Sequence, residues 1–357
     1  MDLDQLRINI DEIDRKILEL LNERYEYVHK VGKWKQNMSH EIYVPEREKK
    51  LLSRLEKINK GPLQTKALRA IYREIMSGAL ALEYPLTVAY PSDSKSFSKF
   101  ATLGKFGQNV NTISCESIKN VFNEVEAGRV NYGIVPIENS LQGVVTDTLD
   151  KLINSSVKIC AEINVSSHYS LISDCSFDKI KYIYAESSLF NSCSNWLKEN
   201  LINTTKKSFA SSDDAYSAMQ NTNSAALIAN TSYSNINNPL RIASSNIENN
   251  SNNITRFLIL GKQSPKPTGD DKTSLFYLVN DRAGALCDAL LPFKNRNIHI
   301  TMLESRPSKT KNWEYYFFLD YLAHQTDKDF IEALKGLNKI CPSIKVLGSY
   351  PKSNDIL

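Results

Sequence analysis

The chain has 357 residues, 41% of them hydrophobic and 24% charged, with a formal net charge of +4. That length predicts two or three domains, and that mixture predicts an ordinary soluble globular protein. So small a net charge gives no footprint for nucleic acid, and no apolar run approaches the ~18–20 residues of a membrane span. The opening Met1-Asp2-Leu3-Asp4 has neither a basic nor an apolar leader region. The six cysteines (115, 160, 175, 193, 287 and 341) include no C-x-x-C pair. A cytoplasmic chain with reduced thiols is expected, and nothing in the sequence calls for a metal or an organic cofactor.

Residues 3–36 carry Leu3, Leu6, Ile10, Ile13, Ile17 and Leu20 at helical spacing, followed by Val28 and Val31. A helix of that length runs ~50 Å, longer than a small domain is wide, so its stripe needs a partner from another chain. A second helix is predicted over 45–59, with Pro45 in its first turn and Gly61-Pro62 ending it. A third spans 63–83 and stops before Pro85. An all-α domain over 1–84 follows. After Pro85 short strands alternate with helices: strands near 86–90, 132–135, 180–184, 225–228 and 257–260, and helices near 121–127, 147–153 and 190–200. This is the texture of an α/β domain over 86–262. Residues 261–271 read as a linker. The remainder, 272–357, gives strand, helix, strand, strand, helix, strand, a ferredoxin-like βαββαβ order.

Arg24 and Lys35 lie 11 residues apart and share one helix face near the apolar stripe. Arg7 lies 17 residues before Arg24, points elsewhere and could serve a partner's site. Further along stand Pro45-Glu46-Arg47-Glu48, Val135-Pro136-Ile137-Glu138-Asn139-Ser140 with Gly143, and Ser251-Asn252-Asn253-Ile254-Thr255-Arg256-Phe257. The strand end near 135–140 is where α/β sites usually form. Asp281-Arg282-Ala283-Gly284-Ala285-Leu286 joins a strand to a helix, where Gly284 permits a tight turn and exposed amides suit a carboxylate. Glu304-Ser305-Arg306-Pro307 follows.

In that order these segments resemble the P-protein family: a chorismate mutase fused to a prephenate dehydratase, with a phenylalanine-sensing ACT domain. The resemblance covers nearly the whole chain. It implies a multidomain fold: an all-α mutase domain, a two-lobed α/β dehydratase domain and a ferredoxin-like ACT domain. It implies that Arg7 of a second subunit, Arg24 and Arg47 contact the substrate carboxylates, that Lys35 donates to the ether oxygen, and that Glu48 binds the substrate hydroxyl. It implies that Thr255 is the dehydratase hydroxyl, beside Arg256, Glu138, Asn139 and Ser140. It also implies that Gly284, Ala285, Leu286, Glu304, Ser305, Arg306 and Pro307 form a phenylalanine site between subunits. Chorismate, prephenate and phenylalanine are then the small-molecule partners, in a homodimer or larger homo-oligomer, without nucleic acid or membrane.

The sequence departs from the family at definite places. In the mutase, Val44 replaces a common Asp, Ala79 a common Ser, and Glu83 a frequent Gln. A glutamate at 83 can donate to the ether oxygen only when protonated. In the dehydratase, Ser92-Asp93-Ser94-Lys95-Ser96 stands for Gly-Pro-x-Gly-Thr, Ala185-Glu186-Ser187-Ser188 for Ser-His-Pro-Gln, and Ser211-Ser212-Asp213 for Ser-Thr-Ala. Carboxylates at 93, 186 and 213 would face a dianionic substrate. Two alternatives therefore stand beside the bifunctional enzyme: a mutase with an impaired or dead dehydratase domain, and a non-catalytic phenylalanine-binding regulator.

Overall fold

The computed structural model describes every residue except 1, 38–42, 93–94, 232, 234–240, 309–313 and 355, and every side chain except those and residues 35–37, 95 and 96. No described helix is long and apolar enough to cross a membrane.

Three helices come first: α1 (Leu3–Asn37), α2 (Pro45–Ile58) and α3 (Thr65–Glu83). The second half of α1 packs on α3. Gly32 makes the close approach possible, since a Cβ there would come within 2.8 Å of Glu83 Cγ. Tyr25 OH donates to Ile75 O at 3.2 Å. The first half has no such cover. Residues 2–20 are all exposed, and Ile13 of the apolar stripe keeps 54% of its surface in solvent.

Two lobes follow. The first contains β1 (Thr87–Pro91), α4 (Lys95–Phe106), β2 (Asn111–Cys115), α5 (Ile118–Glu126), β3 (Tyr132–Asn139), β4 (Gly143–Val144), α6 (Thr146–Asn154) and β5 (Lys158–Ser166). The second contains β6 (Tyr169–Ile172), β7 (Tyr182–Glu186), α7 (Ser187–Ser192), α8 (Ser194–Asn200), β8 (Thr205–Phe209), α9 (Ser212–Gln220), β9 (Ala225–Asn230) and β10 (Ile242–Ser245). The helix expected over 190–200 is thus split at Cys193, whose backbone leaves the helical region. The chain then returns to the first lobe as β11 (Ile254–Gly261), inserted antiparallel between β3 and β5. The sheet orders are β2-β1-β3-β11-β5, with β4 on β3, and β10-β6-β9-β7-β8. A cleft opens between the two lobes.

The last unit runs β12 (Asp271–Val279), α10 (Ala285–Lys294), β13 (Ile300–Pro307), β14 (Tyr315–Tyr321), α11 (Lys328–Asn338) and β15 (Ser343–Pro351). Its antiparallel sheet has the order β13-β14-β12-β15, leaving β13 at an edge. The first lobe is the hub. One buried cluster joins its Val135, Ile137 and Leu258 to Phe276, Phe318 and Tyr350 of the last unit. Another takes Tyr43, which precedes α2, into the first lobe beside Phe106 and Tyr132.

Candidate active sites

A cavity of about 270 Å³ lies between α1, α2 and α3, closed on one side by the C-terminal end of α4. Arg24, Arg47, Arg73 and Lys105 line it, against the carboxylates of Glu48 and Glu83. Four cations facing two carboxylates suit a ligand with two negative charges. Arg24 Nη1 is buried and makes no hydrogen bond among the described residues. Such a guanidinium group is costly until an anion arrives. Arg73 reaches Gly104 O at 3.3 Å through Nη1, and its Nε lies 3.5 Å from Glu74 Oε1. Glu48 Oε2 accepts from Tyr43 OH at 2.9 Å and from Lys105 Nζ at 3.1 Å. Burial pushes the Tyr43 hydroxyl well above its ordinary pKa, and Glu48 adds to the shift, so it stays a donor. Val44, Ala79 and Glu83, where the sequence departs from its family, all line the same cavity.

Of the five cations and acids expected around this cavity within one chain, Arg24, Arg47, Glu48 and Glu83 are brought together. The Lys35 side chain lies outside the described residues, although its backbone belongs to α1. Arg7 does not line the cavity. It stands on the exposed half of α1 with Asp4 at 3.6 Å, roughly 25 Å along the helix from Arg24. Arg73 and Lys105 were not expected.

The interlobe cleft holds a second cavity of about 470 Å³. Thr255 and Phe257 of β11 line it with Asn139 of β3. Asn139 Nδ2 donates to Thr255 Oγ1 at 2.9 Å and to Asn253 Oδ1 at 2.7 Å, while its Oδ1 accepts from the amides of Leu141 and Gln142. With its oxygen already taking a hydrogen bond, Thr255 can aim its own O–H into the cleft. Ser140 ties the loops together instead of facing the cavity: its Oγ donates to Asn252 O at 2.8 Å and accepts from Ile254 N at 2.9 Å.

Arg256 and Glu138 are not in the cleft, which corrects their expected placement. The cause is strand parity. Successive side chains on a strand point to opposite faces, and the register sets Thr255 opposite Asn139 but Arg256 opposite Glu138. Arg256 turns into the joint between the first lobe and the last unit. There Nε donates to Glu162 Oε2 at 2.7 Å, Nη1 meets Asp320 Oδ2 at 2.6 Å and Glu138 Oε1 at 3.2 Å, and Nη2 donates to Tyr350 OH at 2.9 Å. Lys272 Nζ donates to the same Glu162 oxygen at 2.9 Å. Burial opposes the arginine's charge, but Asp320, Tyr350, Glu162 and Glu138 outweigh it and keep its pKa well above normal.

The expected carboxylates divide. Glu186 lines the cleft, with Oε1 held by Ser188 Oγ at 2.9 Å. Asp213 does not. It accepts from Tyr233 OH at 2.8 Å on the exposed side of α9, and the next residue, Asp214, lines the cleft and takes a hydrogen bond from Ser211 Oγ at 2.6 Å. Asp93 lies outside the described residues. Among the described lining residues none is a cation, so hydroxyls and amides supply the donors.

In the last unit Gly284 takes the left-handed conformation (φ 77°) that glycine tolerates, directly before α10, with Ala285 buried and Leu286 half-buried behind it. Glu304, Ser305, Arg306 and Pro307 lie on the edge strand β13. Arg306 reaches back to Asp150 of α6, with Nε at 2.9 Å and Nη2 at 2.8 Å from Oδ1.

Known proteins match both regions. The family profile for chorismate mutase type II matches residues 6–84, and that for prephenate dehydratase matches residues 88–265. A bifunctional chorismate mutase/prephenate dehydratase of Aquifex aeolicus (strain VF5) is 38% identical over 99% of this chain and 98% of its own length. One of Stutzerimonas stutzeri is 37% identical over 98% of each. The crystal structure of a prephenate dehydratase from Arthrobacter aurescens in complex with L-Phe superposes with a TM-score of 0.67 at 27% identity, covering 75% of this chain and 90% of that one.

Proposed function

The chain belongs to the bifunctional chorismate mutase/prephenate dehydratase family, and on that premise we propose how its own residues carry the two reactions. In the helical cavity Arg24, Arg47 and Arg73 hold the carboxylates of chorismate and fix the folded conformer from which the pericyclic rearrangement proceeds. Positioning of this kind and charge stabilisation at the breaking ether are all that the step requires. Lys35 supplies a donor to the ether oxygen, Glu83 adds a second only in its protonated form, and Glu48 accepts from the substrate hydroxyl. The observation that carries this assignment is the buried Arg24 Nη1, without a hydrogen-bond partner among the described residues, in a cavity where the described cations outnumber the carboxylates. Arg24→Met should cost at least ~2 kcal/mol of transition-state stabilisation for chorismate, the scale of one charge-assisted contact. Wild-type kcat/KM in that variant would remove the assignment.

In the cleft prephenate loses carbon dioxide and water to give phenylpyruvate. The electron pair of the breaking C–C bond moves into the ring and expels the ring hydroxyl, and Thr255 O–H passes it the proton that makes water of it while taking one back from solvent. Asn139 orients that hydroxyl. Glu186 and Asp214, with no lining cation among the described residues, favour a second reading: a mutase whose dehydratase turns over slowly.

The regions 1–84, 86–262 and 272–357 are assigned to mutase, dehydratase and regulatory ACT domains. The βαββαβ order of the last supports a ferredoxin-like ACT fold. Phenylalanine is placed at Gly284–Leu286 and Glu304–Pro307, with a second copy covering the edge strand. A second copy also covers the free half of α1 and brings Arg7 to its partner's cavity. The six free thiols accord with a cytoplasmic home.

A further inference from the structure

The mutase cavity is closed by a residue from outside the mutase region. We propose that Lys105, on helix α4 of the first lobe, is a positioning residue of the mutase site: it fixes the Glu48 carboxylate and offsets its charge before a dianionic substrate enters. This rests on the assignment of the helical cavity to chorismate.

The placement of Lys105 is set by several independent contacts. Its Nζ lies 3.1 Å from Glu48 Oε2 and 5.9 Å from the centre of the Tyr43 ring, and both charged side chains are more than four-fifths buried. Tyr43 is anchored in the first lobe, with ring centroids 5.0 Å from Phe106 and 5.4 Å from Tyr132, and its carbonyl accepts from Gln263 Nε2 at 3.0 Å. On the other side, α3 rests on the turn that ends α4. Gln108 N donates to Glu74 Oε2 at 3.0 Å, and Asn109 N to Ser77 Oγ at 3.0 Å. Gly107 has φ 78° there, and a Cβ on it would come within 2.4 Å of Ser77 Cβ. The end of α4 is therefore held on the cavity wall and does not merely drift past it.

The chemistry asks for such a cation. Glu48 must stay an acceptor for the substrate hydroxyl, yet its charge repels both substrate carboxylates. A lysine on Oε2, where Tyr43 also donates, holds one rotamer, leaves Oε1 for the substrate and offsets the repulsion. The same helix presents Phe97 to the dehydratase cleft at its other end, so α4 touches both cavities.

The test uses the full chain with Lys105→Met, Lys105→Arg and Glu48→Gln, read as KM and kcat for chorismate, with prephenate turnover as the control for folding. Lys105→Met should raise KM about tenfold or more, the scale of one charge-assisted hydrogen bond, with a smaller fall in kcat. Lys105→Arg should restore most of it. Adding Lys105→Met to Glu48→Gln should cost little further, because the lysine acts through the carboxylate. Lys105→Gln gives the same comparison if the methionine variant fails to fold. An unchanged KM in Lys105→Met, or losses that multiply in the double variant, would overturn the proposal. Absence of chorismate turnover in the wild-type chain is a separate outcome and would overturn the mutase assignment itself.

Discussion

Replacing Arg256 by methionine should destabilise the protein strongly while leaving the Thr255 hydroxyl in place. The guanidinium meets three carboxylates between 2.6 and 3.2 Å, and two of them, Glu162 and Asp320, have side chains that are 1% and 0% exposed. At an effective dielectric near 20 each such contact is worth roughly 5 kcal/mol gross, most of it offset by desolvation. What decides the sign is the state left behind. Glu162 keeps Lys272, but Asp320 keeps only the hydroxyl of Ser274, on Oδ1 at 2.5 Å, and its Oδ2 has no other hydrogen-bond partner among the described residues, so its charge is left without a cation. An uncompensated buried carboxylate costs ~3–5 kcal/mol, or roughly 10 °C in melting temperature for a unit of this size. The assay is thermal and urea unfolding of Arg256→Met, alone and with Asp320→Asn. The double variant should recover at least ~1 kcal/mol, because the orphaned charge is gone. Prephenate turnover measured well below the transition should fall far less than in Thr255→Val. A melting temperature within about 2 °C of wild type, which for such a unit is under ~1 kcal/mol, would refute the buried-network account. So would turnover lost as completely as in Thr255→Val.

Acid should act on the same joint. Burial pushes the Glu162 carboxyl up, but Arg256 and Lys272 outweigh burial and hold it below the ordinary range. A depressed folded pKa adds stability above the unfolded value of ~4.3 and loses it as pH falls through the folded value. Unfolding midpoints should therefore drop below about pH 4.3, more steeply than in Glu162→Gln, and equal slopes would exclude Glu162 as a source. The exposed stripe on α1 should pair with a second copy: sedimentation at micromolar concentration should give a dimer or larger, and Leu6→Glu with Ile13→Glu should shift it toward monomer. A monomeric wild type would leave Arg7 without a role.

The helical unit was legible because six apolar residues at helical spacing and two Gly/Pro breaks define it without long-range information. The C-terminal βαββαβ order was legible because short strand segments alternate with helical ones, the first pair being joined by the turn at 281–284. Helix α4 was overlooked although Phe97, Phe100, Leu103 and Phe106 recur at three-residue spacing, and Lys105 was overlooked with it. Nothing local links a lysine at 105 to a glutamate at 48. Arg256 was misplaced because β11 was expected to start at Phe257 but begins at Ile254. Once Thr255 and Arg256 are both inside the strand, parity forbids them a common face, and that signal was available in the sequence. The carboxylate at 213 was expected from matching Ser211-Ser212-Asp213 to a family motif, whereas the next residue of the same first helical turn, Asp214, is the one that lines the cleft.

The most direct test is to supply the purified chain with prephenate and follow phenylpyruvate. Steady production, lost in Thr255→Val with chorismate turnover intact, is the expected result. Prephenate left unconverted while chorismate is still consumed would contradict a working dehydratase and leave a mutase carrying an inactive cleft.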